Sequence, residues 1–174
     1  AESCGADRAL SFDMGGTTAK ICFIDDYEPE ISRSFEFGRM YRFLKGSGLP
    51  IRIPVIEMVE IGAGGGSIAR VDDLERVQVG PDSAGAEPGP ACYARGGEHA
   101  TVTDADCAMG LLDPQRFAGG RVALEPARAD VAIARDIAKP LKVNTALGAL
   151  AITEIVTENM ANAARVHAME LGKT

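Results

Sequence analysis

A chain of 174 residues with 46% apolar and 25% charged residues is long enough to bury a core and too apolar to be compositionally disordered. Its 18 basic residues against 25 acidic ones give a net charge of −7, which argues against nucleic acid or an anionic membrane as the main partner. No run of about 18 apolar residues marks a membrane span, the opening AESCGADRAL lacks a signal peptide's basic and apolar regions, and four cysteines without a CxxC pair are too sparse for a disulfide scaffold. The expectation is a cytoplasmic protein with reduced thiols.

Residues 8–25 read RALSFDMGGTTAKICFID. Leu10 and Phe12 alternate with polar neighbours, Ile21 and Phe23 do the same, and the GGTT between them is a turn signal, so 9–25 is expected to be a β-hairpin. ISRSFEF (31–37) alternates again and predicts a third strand. A glycine turn at 46–48, short extended pieces around Ile51 and Ile53, and a strand over 55–61 lead into the glycine-rich GAGGGS at 62–67. The stretch 79–102 carries three prolines and few helical signals, and a loop of that length is usually functional. The last third, 103–172, reads as helical. Thr103 with Asp106 predicts a capping box for a short helix to Leu112, stopped by Pro114. A second helix is expected over 128–139, ended by Pro140. Asn144 or Thr145 then caps a long helix to about Leu171, with Gly172 as its C-cap and an apolar stripe of Leu147, Leu150, Ile152, Ile155, Val156, Met160, Ala163 and Val166. The whole of 1–174 reads as a single segment: an α/β fold whose mixed sheet starts with the hairpin and carries the C-terminal helices.

Chemistry concentrates at the glycines. In Asp13-Met14-Gly15-Gly16-Thr17-Thr18-Ala19-Lys20, an acidic residue at a strand end is followed by two glycines and two hydroxyls. Glycines let peptide N–H groups approach an anion closely, and the carboxylate can hold Mg²⁺ through water. Gly15, Gly16, Thr17, Thr18 and Lys20 are therefore candidate cofactor contacts, and Asp13 a candidate catalytic and metal-binding residue. The same eight residues also fit an ordinary hairpin turn. GAGGGS fails the dinucleotide pattern GxGxxG because Ser67 takes the last glycine position. It reads as a backbone cradle, with Gly65 and Ser67 as candidate contacts, or as a close-packing turn. Between 82 and 104, Asp82, Ser83, Glu87, Arg95 and Asp104 bring carboxylates, a hydroxyl and a guanidinium to one glycine-rich loop, suited to holding a metal–phosphate group or polarising a carbonyl. Asp82 and Asp104 are candidate metal ligands, Asp104 also a candidate catalytic residue, although at the first turn of a helix a carboxylate is favoured in any case. Cys92, His99, Asp104 and Cys107 fall within 16 residues and form a donor set for zinc or another divalent metal, but no spacing matches a standard zinc pattern. Buried cysteines acting as small hydrophobes are the plainer reading.

SFDMGGTTAK resembles a phosphate loop of the actin-like and sugar-kinase ATPase superfamily. EIGAGGGSIARVD (60–72), VGPDSAGAEPGPACYARGG (79–97) and TVTDAD (101–106) resemble the hydantoinase A/oxoprolinase family, and KGSGLPIRIPVIEM (45–58) and ENMANAARVHAMELGK (158–173) are similar to its N-methylhydantoinase-like members. One departure stands out: Ala94 occupies a position where the family usually has Gly. The resemblance implies an actin-like (ribonuclease H-like) lobe and ATP-dependent opening of cyclic amides of the hydantoin, N-methylhydantoin or 5-oxoproline type through phosphoryl activation with Mg²⁺. It equally accommodates the ATP-using subunit of a ketone carboxylase or a non-catalytic interaction lobe. It further implies that a second phosphate loop lies upstream and an adenosine loop downstream, so that this chain is the middle of a longer protein. The partners implied are a small cyclic amide, the remaining lobes of the full-length chain, a hydantoinase B-like subunit and a homo-oligomeric copy.

Overall fold

A computed structural model describes residues 1–33, 35–38, 40 and 46–173. The chain folds as two compact units, one made of Ala1–Asp13 and Lys20–Glu60, the other of Met14–Ala19 and Ile61–Lys173.

The first unit is built of short strands. The hairpin forms as the alternation predicts, with β1 (Arg8–Met14) and β2 (Ala19–Asp25) joined through the glycine turn. β3 (Glu28–Pro29) folds back antiparallel on the end of β2, Asp25 opposite Glu28. The turn between them places Asp26 and Tyr27 at φ 50° and 69°, the mirror-image geometry that matches strand twist. Then follow β4 (Ile31–Ser32), β5 (Phe35–Phe37), β6 (Leu49–Ile51), β7 (Val55–Ile56) and β8 (Met58–Ile61). β8 pairs with β2 in a four-stranded sheet, while β4 pairs with β7 and β5 with β6 as separate ribbons. The single strand expected over 31–37 is thus divided between two ribbons, with Ser34 outside the described residues. The strand expected over 55–61 breaks at Glu57, whose N–H donates to the Glu30 carbonyl. Among the described residues of this unit, Ile21 alone is a fully buried apolar side chain, and Leu10, Phe12, Ile31, Phe37, Ile56 and Met58 stay exposed.

The second unit holds the α/β packing. β9 (Ser67–Val71) and β10 (Val77–Ser83) form an antiparallel ribbon with Val77 opposite Val71, its register irregular between Val79 and Ser83. Asp72 shapes the connecting turn, accepting from the N–H groups of Leu74 and Arg76 and from the side chains of Arg76 and Gln78. The Arg76 side chain is the foremost cause that lowers its carboxyl to about 2. Against the ribbon pack α1 (Val102–Ala108) and, later in the chain, α4 (Thr145–Glu170), while α2 (Pro126–Ile133) packs on α1 and α4, and α3 (Lys139–Leu141) follows the π turn after α2. The core is dominated by small side chains: Ala69, Ala105, Ala129, Ala132, Ala138 and Ala149 are buried beside Ile133, Ile137, Ile152 and Val156.

Three helix expectations shift, each for a physical reason. The N-cap of α1 is Thr101 rather than Thr103, because Thr101 is still extended (φ −125°, ψ 172°) and bridges to Ile68 of β9. Pro140 does not end the second helix. A π turn over Ala134–Ala138 closes with the Lys139 N–H on the Ala134 carbonyl, so Pro140 enters where the α ladder is already interrupted. The chain instead stops at Lys142, φ 56°. On α4, capped by Asn144 Oδ1 accepting from the Leu147 N–H at 2.8 Å, the buried face is Gly148, Ala149, Ile152, Val156 and His167. Leu147 and Leu150 turn outward. A β-carbon at Gly148 would already lie 3.1 Å from Ile133 Cγ2, so the crossing admits only the small residues, and the leucines rotate away.

Candidate functional site

The hairpin tip, Met14–Ala19, belongs to the second unit and is anchored there by buried Ala19. The Gly15 N–H donates to the Thr18 carbonyl at 2.8 Å, which places Gly16 and Thr17 at the apex. GAGGGS lies against this apex, backbone to backbone. Gly65 N–H donates to Gly15 O at 3.0 Å and Gly66 N–H to Gly16 O at 2.7 Å. A β-carbon on Gly64 would sit 2.7 Å from Gly15 O, Gly16 C and Thr17 N, and one on Gly66 3.0 Å from Gly16 O and 2.9 Å from Ser83 Oγ. The glycines are needed for this close approach, not for unusual φ values at Gly64 and Gly66. From the outer side the Gly66 carbonyl accepts from the Ala84 N–H, tying in the loop after β10.

This pairing fixes where the apex N–H groups point. In a trans peptide, the carbonyl of one residue and the N–H of the next face opposite ways. With the carbonyls of Gly15 and Gly16 turned to the glycine loop, the N–H groups of Gly16 and Thr17 turn away from it. Neither these nor the Thr18 N–H meets an acceptor among the described residues. Gly15, Gly16 and Thr17 are exposed. Adjacent unpaired peptide donors on a rigid, glycine-lined turn fit an anion, and the Thr17 and Thr18 hydroxyls add donors of the right kind. Flanking the tip in sequence, Asp13 and Lys20 are exposed and make no side-chain hydrogen bond or ion pair among the described residues. Both belong to the first unit.

Asp104 does something else. Its carboxylate is fully buried, with Oδ1 accepting from the Cys92 N–H at 2.7 Å and Oδ2 from the N–H groups of Ala91 (3.2 Å) and Thr101 (3.0 Å) and the Thr101 hydroxyl (2.7 Å). One donor meets Oδ1 and three meet Oδ2. The geometry makes Asp104 a latch joining the 3₁₀ turn at Ala91–Tyr93 to the start of α1, a structural role for a residue expected to be a catalytic group and metal ligand. Ser67 is also fully buried, its Oγ accepting from the Gly64 N–H at 2.9 Å, and it braces the loop from inside. Gly65 has its N–H on Gly15 and its carbonyl on Thr103, so both its backbone groups are engaged in holding the cradle.

Residues 1–173 match the family model described as hydantoinase/oxoprolinase. The chain belongs to the hydantoinase/oxoprolinase family. Caprolactamase subunit alpha of Pseudomonas jessenii is 39% identical over 172 residues, covering 99% of this chain and 23% of that protein. The crystal structure of the ATP-dependent caprolactamase from the same organism superposes with a TM-score of 0.79 at 36% identity, over 95% of this chain and 23% of the other. The acetophenone carboxylase gamma subunit of Aromatoleum aromaticum is 38% identical over 164 residues, 94% of this chain and 21% of that protein. The nucleotide-free structure of acetone carboxylase gives a TM-score of 0.83 at 28% identity, over 99% of this chain and 23% of the other. The chain therefore spans 21–23% of the length of these relatives.

The remaining candidates of this hydantoinase/oxoprolinase segment fall in a groove beside the β9–β10 ribbon and in the core. Asp82 is exposed and pairs with Arg70 at 3.1 Å, on the wall of a groove of about 400 Å³ lined by Ile68–Val71, Asp82, His99 and Asp136. His99 Nδ1 lies 3.6 Å from Asp136 Oδ2. Burial alone would raise the Asp136 carboxyl, but hydrogen bonds from Arg135 and the Ala100 N–H outweigh it and hold the group below the usual carboxylate range. Cys92 and Cys107 sit instead in a core cluster with Leu124 and Ala129. Burial first, then the Asp104 charge, pushes the Cys92 thiol far up, and burial raises Cys107 too, so neither is a ready thiolate. The zinc donor set is thus divided between groove and core. Among the described residues, no three His, Cys, Asp or Glu side chains converge as a metal site. Sequence reasoning missed Thr103, whose N–H and hydroxyl both reach the Gly65 carbonyl at 2.8 Å. That contact spans 38 residues and has no local signature.

Proposed function

We propose that this chain supplies a phosphate-holding element of an ATP-dependent enzyme that opens cyclic amides of the hydantoin, N-methylhydantoin or 5-oxoproline type. The observation that carries the reading is the pair of outward-facing, unpaired N–H groups at Gly16 and Thr17 on a cradle that no side chain can enter. When bound, Mg·ATP supplies an activated phosphoryl group for an amide-derived or carboxylate oxygen. The residues of this chain do the holding. The N–H groups of Gly16, Thr17 and Thr18, with the two threonine hydroxyls, donate to phosphate oxygens; Lys20 adds a positive charge; Asp13 holds the divalent ion through its water shell. Asp82, paired with Arg70, and Asp104, held by four donors of its own fold, take no part in this reading. The chain works in the cytoplasm as one segment of a longer protein, beside its remaining lobes, a hydantoinase B-like subunit and a second copy of itself.

A second reading, the ATP-using subunit of a ketone carboxylase, draws on the resemblance to acetone carboxylase over 99% of this chain. One experiment separates the two. The full-length protein with its partner subunit is assayed for ATP hydrolysis in the presence of hydantoin, 5-oxoproline or caprolactam, and in parallel with acetone or acetophenone plus bicarbonate. Stimulation only by the lactams and hydantoins supports the first reading, and stimulation only by ketone with bicarbonate supports the second. No ATP turnover under any condition would sink both.

A further inference from the structure

We infer that Thr103 is a positioning residue for anion binding at the hairpin tip, acting at the head of a chain of hydrogen-bonded peptides that ends in the Thr17 N–H. The inference rests on the phosphate reading above and extends it to a residue which touches no ligand.

The chain runs through three links. The Thr103 N–H and Oγ1–H both donate to the Gly65 carbonyl, each at 2.8 Å. The peptide that follows Gly65 carries the Gly66 N–H on its opposite side, and that N–H donates to the Gly16 carbonyl at 2.7 Å. The peptide that follows Gly16 in turn carries the Thr17 N–H on its opposite side, where no acceptor among the described residues meets it. Two donors therefore polarise one peptide, which donates to a second, whose free N–H faces outward. Hydrogen bonds in series strengthen one another, and each also fixes the plane of the next peptide. Thr103 is almost fully buried, at 6% exposure, and its Oγ1 lies 2.6 Å from where a β-carbon on Gly65 would be. The hydroxyl is thus packed directly on the peptide it orients. Thr103 is itself set by α1, whose capping box at Thr101 and Asp104 locks the first helical turn. A carboxylate deep in the fold thereby bears on the tip through Thr103 and the two glycine peptides beyond it.

The test uses Thr103→Val, which keeps the shape and the backbone N–H but removes the hydroxyl, and Thr103→Ser, which restores it. In the full-length protein, affinities for Mg·ATP and for pyrophosphate are measured by titration calorimetry, with thermal midpoints alongside. Thr103→Val is expected to bind both ligands about five- to tenfold more weakly, the worth of one hydrogen bond transmitted to the site, and Thr103→Ser to recover most of the loss. Unchanged affinities in a folded Thr103→Val protein overturn the inference. So does a serine variant that folds as well as the wild type yet binds as weakly as the valine. Gly16→Val is the control that separates this inference from the one beneath it. If Gly16→Val loses ligand while Thr103→Val does not, the relay is wrong and the phosphate site stands. Where Gly16→Val binds as the wild type does, the phosphate site falls and the relay with it.

Discussion

Gly64 and Gly16 meet backbone to backbone, so closely that a β-carbon on Gly64 would lie 2.7 Å from the carbonyl carbon of Gly16. Gly62, two residues earlier, has ordinary clearance, with 3.7 Å to Pro81 Cβ. Gly64→Ala is expected to push the two loops apart, costing about 1–3 kcal/mol of stability and at least tenfold in nucleotide affinity, whereas Gly62→Ala is close to neutral in both. Thermal melts and ATP titrations of the two variants check this. Equal behaviour of the pair would show that the loop contact does not shape the site.

The two aspartates of the glycine-rich motifs are expected to fail differently. Asp104→Asn puts an amide NH₂ among four donors and should destabilise the fold by about 3 kcal/mol. Asp13→Asn removes an exposed carboxylate with no internal partner, leaving stability within about 0.5 kcal/mol while lowering ATP turnover about 100-fold. Denaturant midpoints read against kcat decide it. A stable Asp104→Asn protein with selectively lost turnover would return Asp104 to the catalytic machinery.

Ala94 stands at a position that is left-handed in this chain, φ 55° and ψ 29°, a conformation that favours glycine. It ends the 3₁₀ turn at Ala91–Tyr93, its N–H on the Ala91 carbonyl. An L side chain there is strained by about 1 kcal/mol, so Ala94→Gly should stabilise by roughly that amount. Equilibrium urea unfolding measures it, and a destabilised Ala94→Gly protein would show that its methyl group packs more than it strains.

Acid is expected to weaken the second unit through Asp136. Its folded carboxyl titrates below the unfolded value of about 3.9. The stabilisation is therefore complete above that value and is lost as the pH falls from there through the folded one. Asp72, partly buried and lowered to about 2, adds to the same limb. Asp106, raised by burial, works against it, because its neutral form is the one the fold prefers. Asp136→Asn should flatten the drop in thermal midpoint between about pH 4 and pH 2. An unchanged slope would mean the Arg135 and Ala100 hydrogen bonds contribute nothing to stability.

What could be read from the residues was whatever depends on near neighbours. The GGTT turn set the hairpin, Asn144 set the start of α4, and the glycine blocks marked where backbone must approach backbone. Contacts far apart in sequence were not legible. Nothing near Thr101 announces its bridge to Ile68, so local spacing puts the cap two residues late and hides Asp104's place in the capping box. Nothing near Leu147 announces that Ile133 crosses Gly148, so the apolar stripe of α4 was drawn a fraction of a turn off. Ser67 followed the same pattern: a hydroxyl beside glycines suggests a ligand donor, and only the fold shows it buried on the Gly64 N–H.

The π turn at Ala134–Ala138 keeps its own count of residues. A π turn takes about one residue more than an α turn to go round once, so deleting one position from 134 to 138 would wind the segment back to α pitch with Lys139–Leu141 still facing nearly the same way. Pro140 would then meet a ladder that demands the N–H it lacks. Conservative exchanges along this stretch can be absorbed by neighbouring side chains. Loss of one residue meets the proline instead, so here it is length that drift is least free to alter.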